Sequence, residues 1–380
     1  MVIPMLQRIA NLPLAALVLS LPWGFAASSV FAQEVGRLNW PTRIVDSHRA
    51  GQISPVVTGI AIRPQAAEAA VVGDDHIVHL VDLSDGRLLK TLPGHQDWIR
   101  TLAFSPDGQS LITAGSDRRI LKWDLSTQRW SIFATGDASI ESIAFSPDGQ
   151  RLAAVGFESQ VRIFDVRTGR ALATLDCPCA DLRAVGFSPD GRRLAAGGRS
   201  GELLVWEAAG DRWKQISRAA VHQQRIQELE FASPDQILTV SEDRTVHLLS
   251  LIDPQQSGIV VTLPGKLYAM AVISPNLIAC GGTDNRISLI DLQRKEVIGY
   301  LAGHRGTISS LAFAGQTLVS GSYDGETRVW QTQSATAVAF QPDGNRGAVP
   351  PRAVLELPVL ERSASRSDAD PPLLPIRSLR

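Results

Sequence analysis

The chain has 380 residues, 44% of them hydrophobic and 20% charged, and a formal net charge of −1. This is the composition of a folded protein with a substantial core, and it lacks the clustered Lys and Arg of a nucleic-acid footprint, so no nucleic acid is expected as a partner. Three cysteines are too few for a disulfide framework, and the odd number leaves one unpaired.

At the N-terminus, Arg8 and the free amine supply a weak positive region. Leu12 to Phe25 follow as an apolar stretch of about fourteen residues, broken by Pro13, Pro22 and Gly24. Val30-Phe31-Ala32 offers small or tolerated residues where a signal peptidase reads. The expectation is a signal peptide over residues 1–32, cleaved after Ala32, with a linker over 33–42. The apolar stretch falls short of the ~20 residues of a spanning helix. On this reading the mature chain has no stable membrane span and is exported, to a periplasm or beyond. An uncleaved anchor is the alternative.

Between Val57 and Trp330 a block near forty-two residues recurs seven times. The clearest copies carry Phe104-Ser105-Pro106-Asp107-Gly108, Phe145-Ser146-Pro147-Asp148-Gly149 and Phe187-Ser188-Pro189-Asp190-Gly191. Each is followed nineteen residues later by an aromatic–acidic pair, Trp123-Asp124, Phe164-Asp165 or Trp206-Glu207. Aligning on the Phe gives Ile62, Phe104, Phe145, Phe187, Phe231, Ile273 and Phe313, at spacings of 42, 41, 42, 44, 42 and 40. Arrays of this period are scaffolds built by stacking one supersecondary unit on the next.

The second copy shows what the unit is. Trp98 to Phe104 alternates in period two, the pattern of a strand. Ser105 to Gly108 is a turn with Pro and Gly at favoured positions. Leu111 to Ala114, Ile120 to Trp123 and Arg129 to Ala134 are three further strands, separated by Gly115 to Arg118 and Asp124 to Gln128. Four short antiparallel strands without a helix form one propeller blade. The fold expected is all-β, a seven-bladed β-propeller over residues 43–340.

Over residues 43–331 the repeats resemble the WD40 family, in a bacterial type suggested by the Phe-Ser-Pro-Asp-Gly turns and an exported form suggested by the N-terminal signal. The resemblance implies a buried hydrogen-bonded tetrad in each complete blade. Two repeats match at all four positions: His95, Thr113, Asp117 and Trp123 in the second, and His304, Ser320, Asp324 and Trp330 in the seventh. The fifth keeps His222, Thr239 and Asp243 but has Leu249 in the Trp position. The others have eroded: Val71 and Val81 in the first, Ala154 and Glu158 in the third, Ala196 and Ser200 in the fourth, Cys280 and Ile290 in the sixth. Losing a whole polar set is nearly neutral, whereas one orphaned buried partner costs ~1–3 kcal/mol. Asp243 and Asp284 are therefore expected to lean on backbone amides or water.

A propeller must hide the edges of its first and last blades. Arg43-Ile44-Val45 is favoured as the strand that completes the seventh blade, with Thr336 to Phe340 competing for the slot. Residues 341–380, with Pro350-Pro351, Pro371-Pro372 and Pro375, read as an extended or disordered tail, in which Val354 to Leu357 is a possible docking strand.

The chemistry-bearing residues point away from catalysis. His95, His222 and His304 fill tetrad positions. His79 and His247 fall in the exposed register of a third strand, His76 in a turn and His48 ahead of the ring. No metal site, cofactor motif or nucleophile elbow is present. Cys177 and Cys179 flank Pro178 in the loop between the third and fourth repeats, an ordinary loop unless it holds a redox disulfide; Cys280 is a small buried hydrophobe.

What varies is the position four residues before each aligned Phe: Thr58, Arg100, Glu141, Arg183, Gln227, Ala269 and Ser309. Trp98, Arg225, Tyr268 and Arg305 lie beside it, and aromatics with Arg are enriched at binding hot spots. Trp98, Arg100, Glu141, Arg183, Arg225, Gln227, Tyr268 and Arg305 are the candidate partner-binding residues. The expected function is a non-catalytic scaffold holding a protein or peptide partner on the rim, consistent with the use of this face in WD40 relatives. Two alternatives stand beside it: a propeller enzyme or enzyme subunit with chemistry in the channel, and an envelope component resembling TolB.

Overall fold

The computed structural model describes residues 42–45, 55–179, 181–210 and 212–332. All lie in one compact unit. The described residues form seven four-stranded antiparallel sheets, with one short 3-10 turn at Pro254–Gln256. The seven-bladed, all-β expectation holds. None of the described helices is long and apolar enough to cross a membrane.

Each blade begins with its innermost strand: Val57–Ile62, Ile99–Phe104, Ile140–Phe145, Leu182–Phe187, Ile226–Ser233, Leu267–Ser274 and Ile308–Ala314. Burial follows strand order. The second strands, such as Ser110–Gly115 and Arg151–Gly156, are buried at nearly every residue, and the fourth strands, such as Leu88–Pro93 and Arg129–Thr135, are mostly exposed. Each of the seven junctions between neighbouring blades has its own apolar core, and the side chains of each core come from the two blades that meet there. No single central core exists. The ring is held by seven separate face-to-face packings, as a stacked repeat requires.

The Ser-Pro-Asp-Gly turns close the first hairpins locally. Ser105 Oγ donates to Asp107 and accepts from the Ser110 amide at 3.0 Å, while Gly108 takes φ +67°, a conformation that an L side chain resists. The junction of blades three and four contains a feature that the sequence left open. Cys177 and Cys179 are joined as a disulfide, both buried in the junction core.

The ring closes with a strand from the N-terminal side. Thr42–Val45 pairs antiparallel with Thr327–Gln331, Thr42 opposite Trp330 and Val45 opposite Thr327, and becomes the outer strand of blade seven. Thr336 to Phe340 and the rest of the tail lie outside the described residues, as do residues 1–41 and His48.

Candidate functional site: the channel mouth

Every innermost strand carries a β-bulge after its first residue, where the register to the second strand slips by one. A bulge re-aims one side chain, and here it turns one residue per blade toward the axis of the ring. The seven are Thr58, Arg100, Glu141, Arg183, Gln227, Tyr268 and Ser309, and all line a channel of about 280 Å³. In blade six the structure corrects the register. Tyr268 occupies the bulge, whereas Ala269 is fully buried in the junction core. Val272 pairs with Ile278 as Phe231 pairs with Ile237, so Val272, not Ile273, is the counterpart of the aligned Phe.

The loops that follow the second strands reach the same mouth. Tyr323 lines the channel at 48% exposure, and Phe157 lies under Arg183, whose guanidinium is 4.8 Å from the ring centre. Arg100 sits 4.7 Å over Trp98 in the same manner. A chain of ion pairs links blades three to six: Arg183 donates to Glu141 at 2.6 Å and to Asp181 at 2.8 Å, Arg225 to Asp181 at 2.6 Å and to Glu242 at 3.0 Å, and Lys266 to Glu242 at 2.9 Å. Gln227 also donates to Glu242, at 2.7 Å. Burial works to raise the Glu242 carboxyl, but the hydrogen bonds and charges of Lys266 and Arg225 outweigh it and hold the group below its ordinary range.

Of the eight residues singled out in the sequence, seven gather here. Arg305 does not. It is exposed in the turn before blade seven, where its amide donates to Asp324 at 2.7 Å and its carbonyl accepts from Asn285. Asp181, Glu242, Lys266, Phe157 and Tyr323 were missed. They belong to two further columns, the residue before each innermost strand and the residue after each second strand, which vary as much as the bulge column.

Below the mouth, in blades two, five and seven, the residue that follows the bulge laces its innermost strand to that of the next blade. Thr101 accepts the Ile143 amide at 3.3 Å and Ser310 the Ile60 amide at 3.0 Å. In blade five the same position is Glu228, whose carboxylate accepts the Met270 amide, and two residues on Glu230 accepts the Val272 amide at 3.1 Å. Glu228 is enclosed by the ring and its carboxyl is pushed up to about 8, chiefly by burial, opposed by the Met270 amide and reinforced by Glu230. Glu230 keeps an exposed edge, yet the protein around its carboxyl raises it to about 7 against the Val272 amide. The folded state therefore holds more protons than the unfolded chain between pH ~4.5 and ~8, and stability falls as pH rises through that window. Glu228→Gln keeps an acceptor for Met270 without the charge. It is expected to match wild type near pH 5 and to exceed it by about 2 kcal/mol at pH 8 in urea unfolding, less than the full shift implies because channel water solvates the carboxylate.

The histidines and acids outside the mouth are committed to the fold. His95 Nε2 contacts Thr113 Oγ1 at 2.7 Å and Nδ1 contacts Asp117 at 2.9 Å, while Trp123 Nε1 donates to the same Thr113 hydroxyl at 2.8 Å. Blade seven repeats this with His304, Ser320, Asp324 and Trp330 at 2.7, 3.2 and 2.8 Å. Blade five keeps His222 on Thr239 and Asp243, and Asp243 also accepts from the Gln223 and Thr245 amides and the Thr245 hydroxyl. Asp284 accepts the Arg286 amide, and burial raises its carboxyl. His79 corrects its expected exposure: it is buried and contacts Asp75 at 2.6 Å. His247 is held low, at about 4, by burial and by neighbouring His222. His304, Asp324 and Glu326 stand close enough to share a cation. All three are already engaged: His304 with Ser320 and Asp324, Asp324 with the Arg305 amide and Glu326 with Arg328.

Residues 56–331 match the family model described as IFT122 first beta-propeller. Short segments also match nuclear distribution proteins of fungi. One is 51% identical over 45 residues to nuclear distribution protein nudF 2 of Talaromyces marneffei, covering 12% of this chain and 10% of that protein. Another is 39% identical over 74 residues to nudF of Aspergillus niger, covering 18% and 16%. A third is 40% identical over 78 residues to PAC1-2 of Uncinocarpus reesii, covering 20% and 17%. Each match spans less than a fifth of the relative. The repeats are WD40-type, but the bacterial-type, exported reading is overturned, since these relatives are fungal proteins named for nuclear distribution. The physical reason is the weakness of the original signal: one Arg8 and a short apolar run broken by two prolines and a glycine specify little. Cleavage after Ala32 and the TolB-like alternative fall with it. None of the three relatives is named as an enzyme.

Proposed function

This chain belongs to the IFT122 first beta-propeller family, and we propose on that premise that it is a non-catalytic scaffold that docks a protein or peptide partner over the channel mouth. The observation that carries the reading is the ring of seven bulges, which presents one side chain of different chemistry per blade on a fixed frame. Trp98, Phe157 and Tyr323 stand exposed around it at 38%, 46% and 48%. Large aromatics beside arginines, held by a frame that loses little freedom on binding, suit a protein interface. The propeller-enzyme alternative draws little support: of the acids that line the channel, Glu141 is paired with Arg183 and Glu228 accepts an amide from the next blade, as Glu230 below it does.

The test is capture from an extract of the producing organism on immobilised full chain, with wild type beside Trp98→Ala and Tyr323→Ala. Both residues are exposed, so both variants are expected to unfold at the wild-type midpoint. A partner retained by wild type and reduced about tenfold by either change supports docking at the mouth. Undiminished capture by both variants moves docking to another surface and ends this reading.

A further inference from the structure

Charge at the mouth is satisfied unevenly. From blade three to blade six, Arg183, Arg225 and Lys266 are paired in one chain with Glu141, Asp181 and Glu242. Arg100 stands outside it. Its Nε donates to Ser116 Oγ at 3.0 Å and its plane packs on Trp98, but no ion pair among the described residues includes it. A guanidinium has five N–H donors in a rigid fork, and the Nη groups of Arg100 have no hydrogen-bond acceptor among the described residues. Arg100 and half-exposed Tyr323 line the same channel, and the charge of Arg100 reaches the Tyr323 phenol. Of the two cations on the bulge ring, Arg183 is neutralised within that chain of ion pairs and Arg100 is not, and Arg100 stands among two exposed aromatics, Trp98 and Tyr323.

We propose that the mouth recognises an acidic peptide segment of a protein partner, with one Asp or Glu carboxylate bound by the Arg100 fork and an adjoining apolar residue packed between Trp98 and Tyr323. The inference rests on the docking reading above and adds the chemistry of the ligand. A planar carboxylate matches the two parallel N–H groups of a guanidinium. A single negative charge also matches Arg100, the one bulge-ring cation outside an ion pair. A phosphate dianion would need a second cation, and Arg183, the other cation of the bulge ring, is already shared between Glu141 and Asp181.

The test is selection of a random peptide library displayed on phage against the full chain, followed by titration of the selected peptides as synthetic copies. The expected outcome is a consensus with one Asp or Glu beside an apolar residue. Changing that acid to its amide, or Arg100→Gln in the protein, should each weaken binding about tenfold. The two changes together should cost little more than either alone, and Arg100→Lys should recover part of the loss. A neutral or basic consensus, an acidic consensus indifferent to Arg100→Gln, or a phosphoserine copy binding about tenfold tighter than the glutamate peptide overturns the carboxylate assignment. Neutral peptides that bind wild type and are lost on Trp98→Ala would leave the scaffold reading standing and remove only this inference. The absence of any selected peptide removes both.

Discussion

Deleting Thr42–Val45 from the full chain is expected to lower the stability of the ring by roughly 2–5 kcal/mol, and to make the protein self-associate. The four residues pair along Thr327–Gln331, and each ladder hydrogen bond lost contributes about 0.5–1.5 kcal/mol. The larger consequence is topological. Six blades take all four strands from one continuous stretch, whereas blade seven takes three and borrows the fourth. Without it, Thr327–Gln331 becomes an open edge at the seam, where the apolar core shared by blades seven and one depends on Val319 and Val329 remaining packed. An open edge is a template for another chain. Urea unfolding with size-exclusion chromatography checks both parts. A wild-type midpoint and a single unshifted peak would mean that closure does not depend on this strand.

The architecture was legible because its signals are local. Ser105 to Gly108 and its two copies announce a turn from residue chemistry alone, and period-two runs such as Ile99–Phe104 announce the strands they join. The mouth was legible only in part. Thr58, Arg100, Glu141, Arg183, Gln227 and Ser309 fall at a constant offset from an aligned Phe or, for Thr58, from Ile62, so counting finds them. Counting fails in blade six, where no aromatic marks the anchor and two adjacent apolar residues, Val272 and Ile273, compete for it. The ion pairs could not be counted at all. Arg183 meets Glu141 from 42 residues away and Arg225 meets Asp181 from 44. One repeat of separation becomes direct contact only when blades stand side by side. Glu228 was hidden for a related reason: in a strand pattern it reads as an ordinary polar residue, and its burial comes from the next blade.

The tetrad of blade two supplies the other large expected effect. Thr113→Val replaces a hydroxyl by a methyl of nearly equal volume at a fully buried site, and is expected to cost about 3 kcal/mol. The hydroxyl serves two partners, His95 Nε2 at 2.7 Å and Trp123 Nε1 at 2.8 Å. Valine leaves both without a partner in the interior, and an unsatisfied buried polar group costs ~1–3 kcal/mol. Blade three shows why this is not simply a matter of lacking a hydroxyl. It has Ala154 and Phe164 at the corresponding positions, with neither a histidine nor an indole N–H to satisfy, and packs as an apolar core. Glu158 there still caps the Asp137 and Ala138 amides, the task that Asp117 performs for Gln96. The acid is therefore kept for the turn, and the His–hydroxyl–Trp set stands or falls together. The double variant Thr113→Val/Trp123→Phe removes the stranded indole donor as well. It should lose about 1 kcal/mol less than the sum of the single losses, read by urea unfolding in a double-mutant cycle. Strict additivity would mean that the indole contributes packing alone, and the shared hydroxyl would then owe its whole effect to His95.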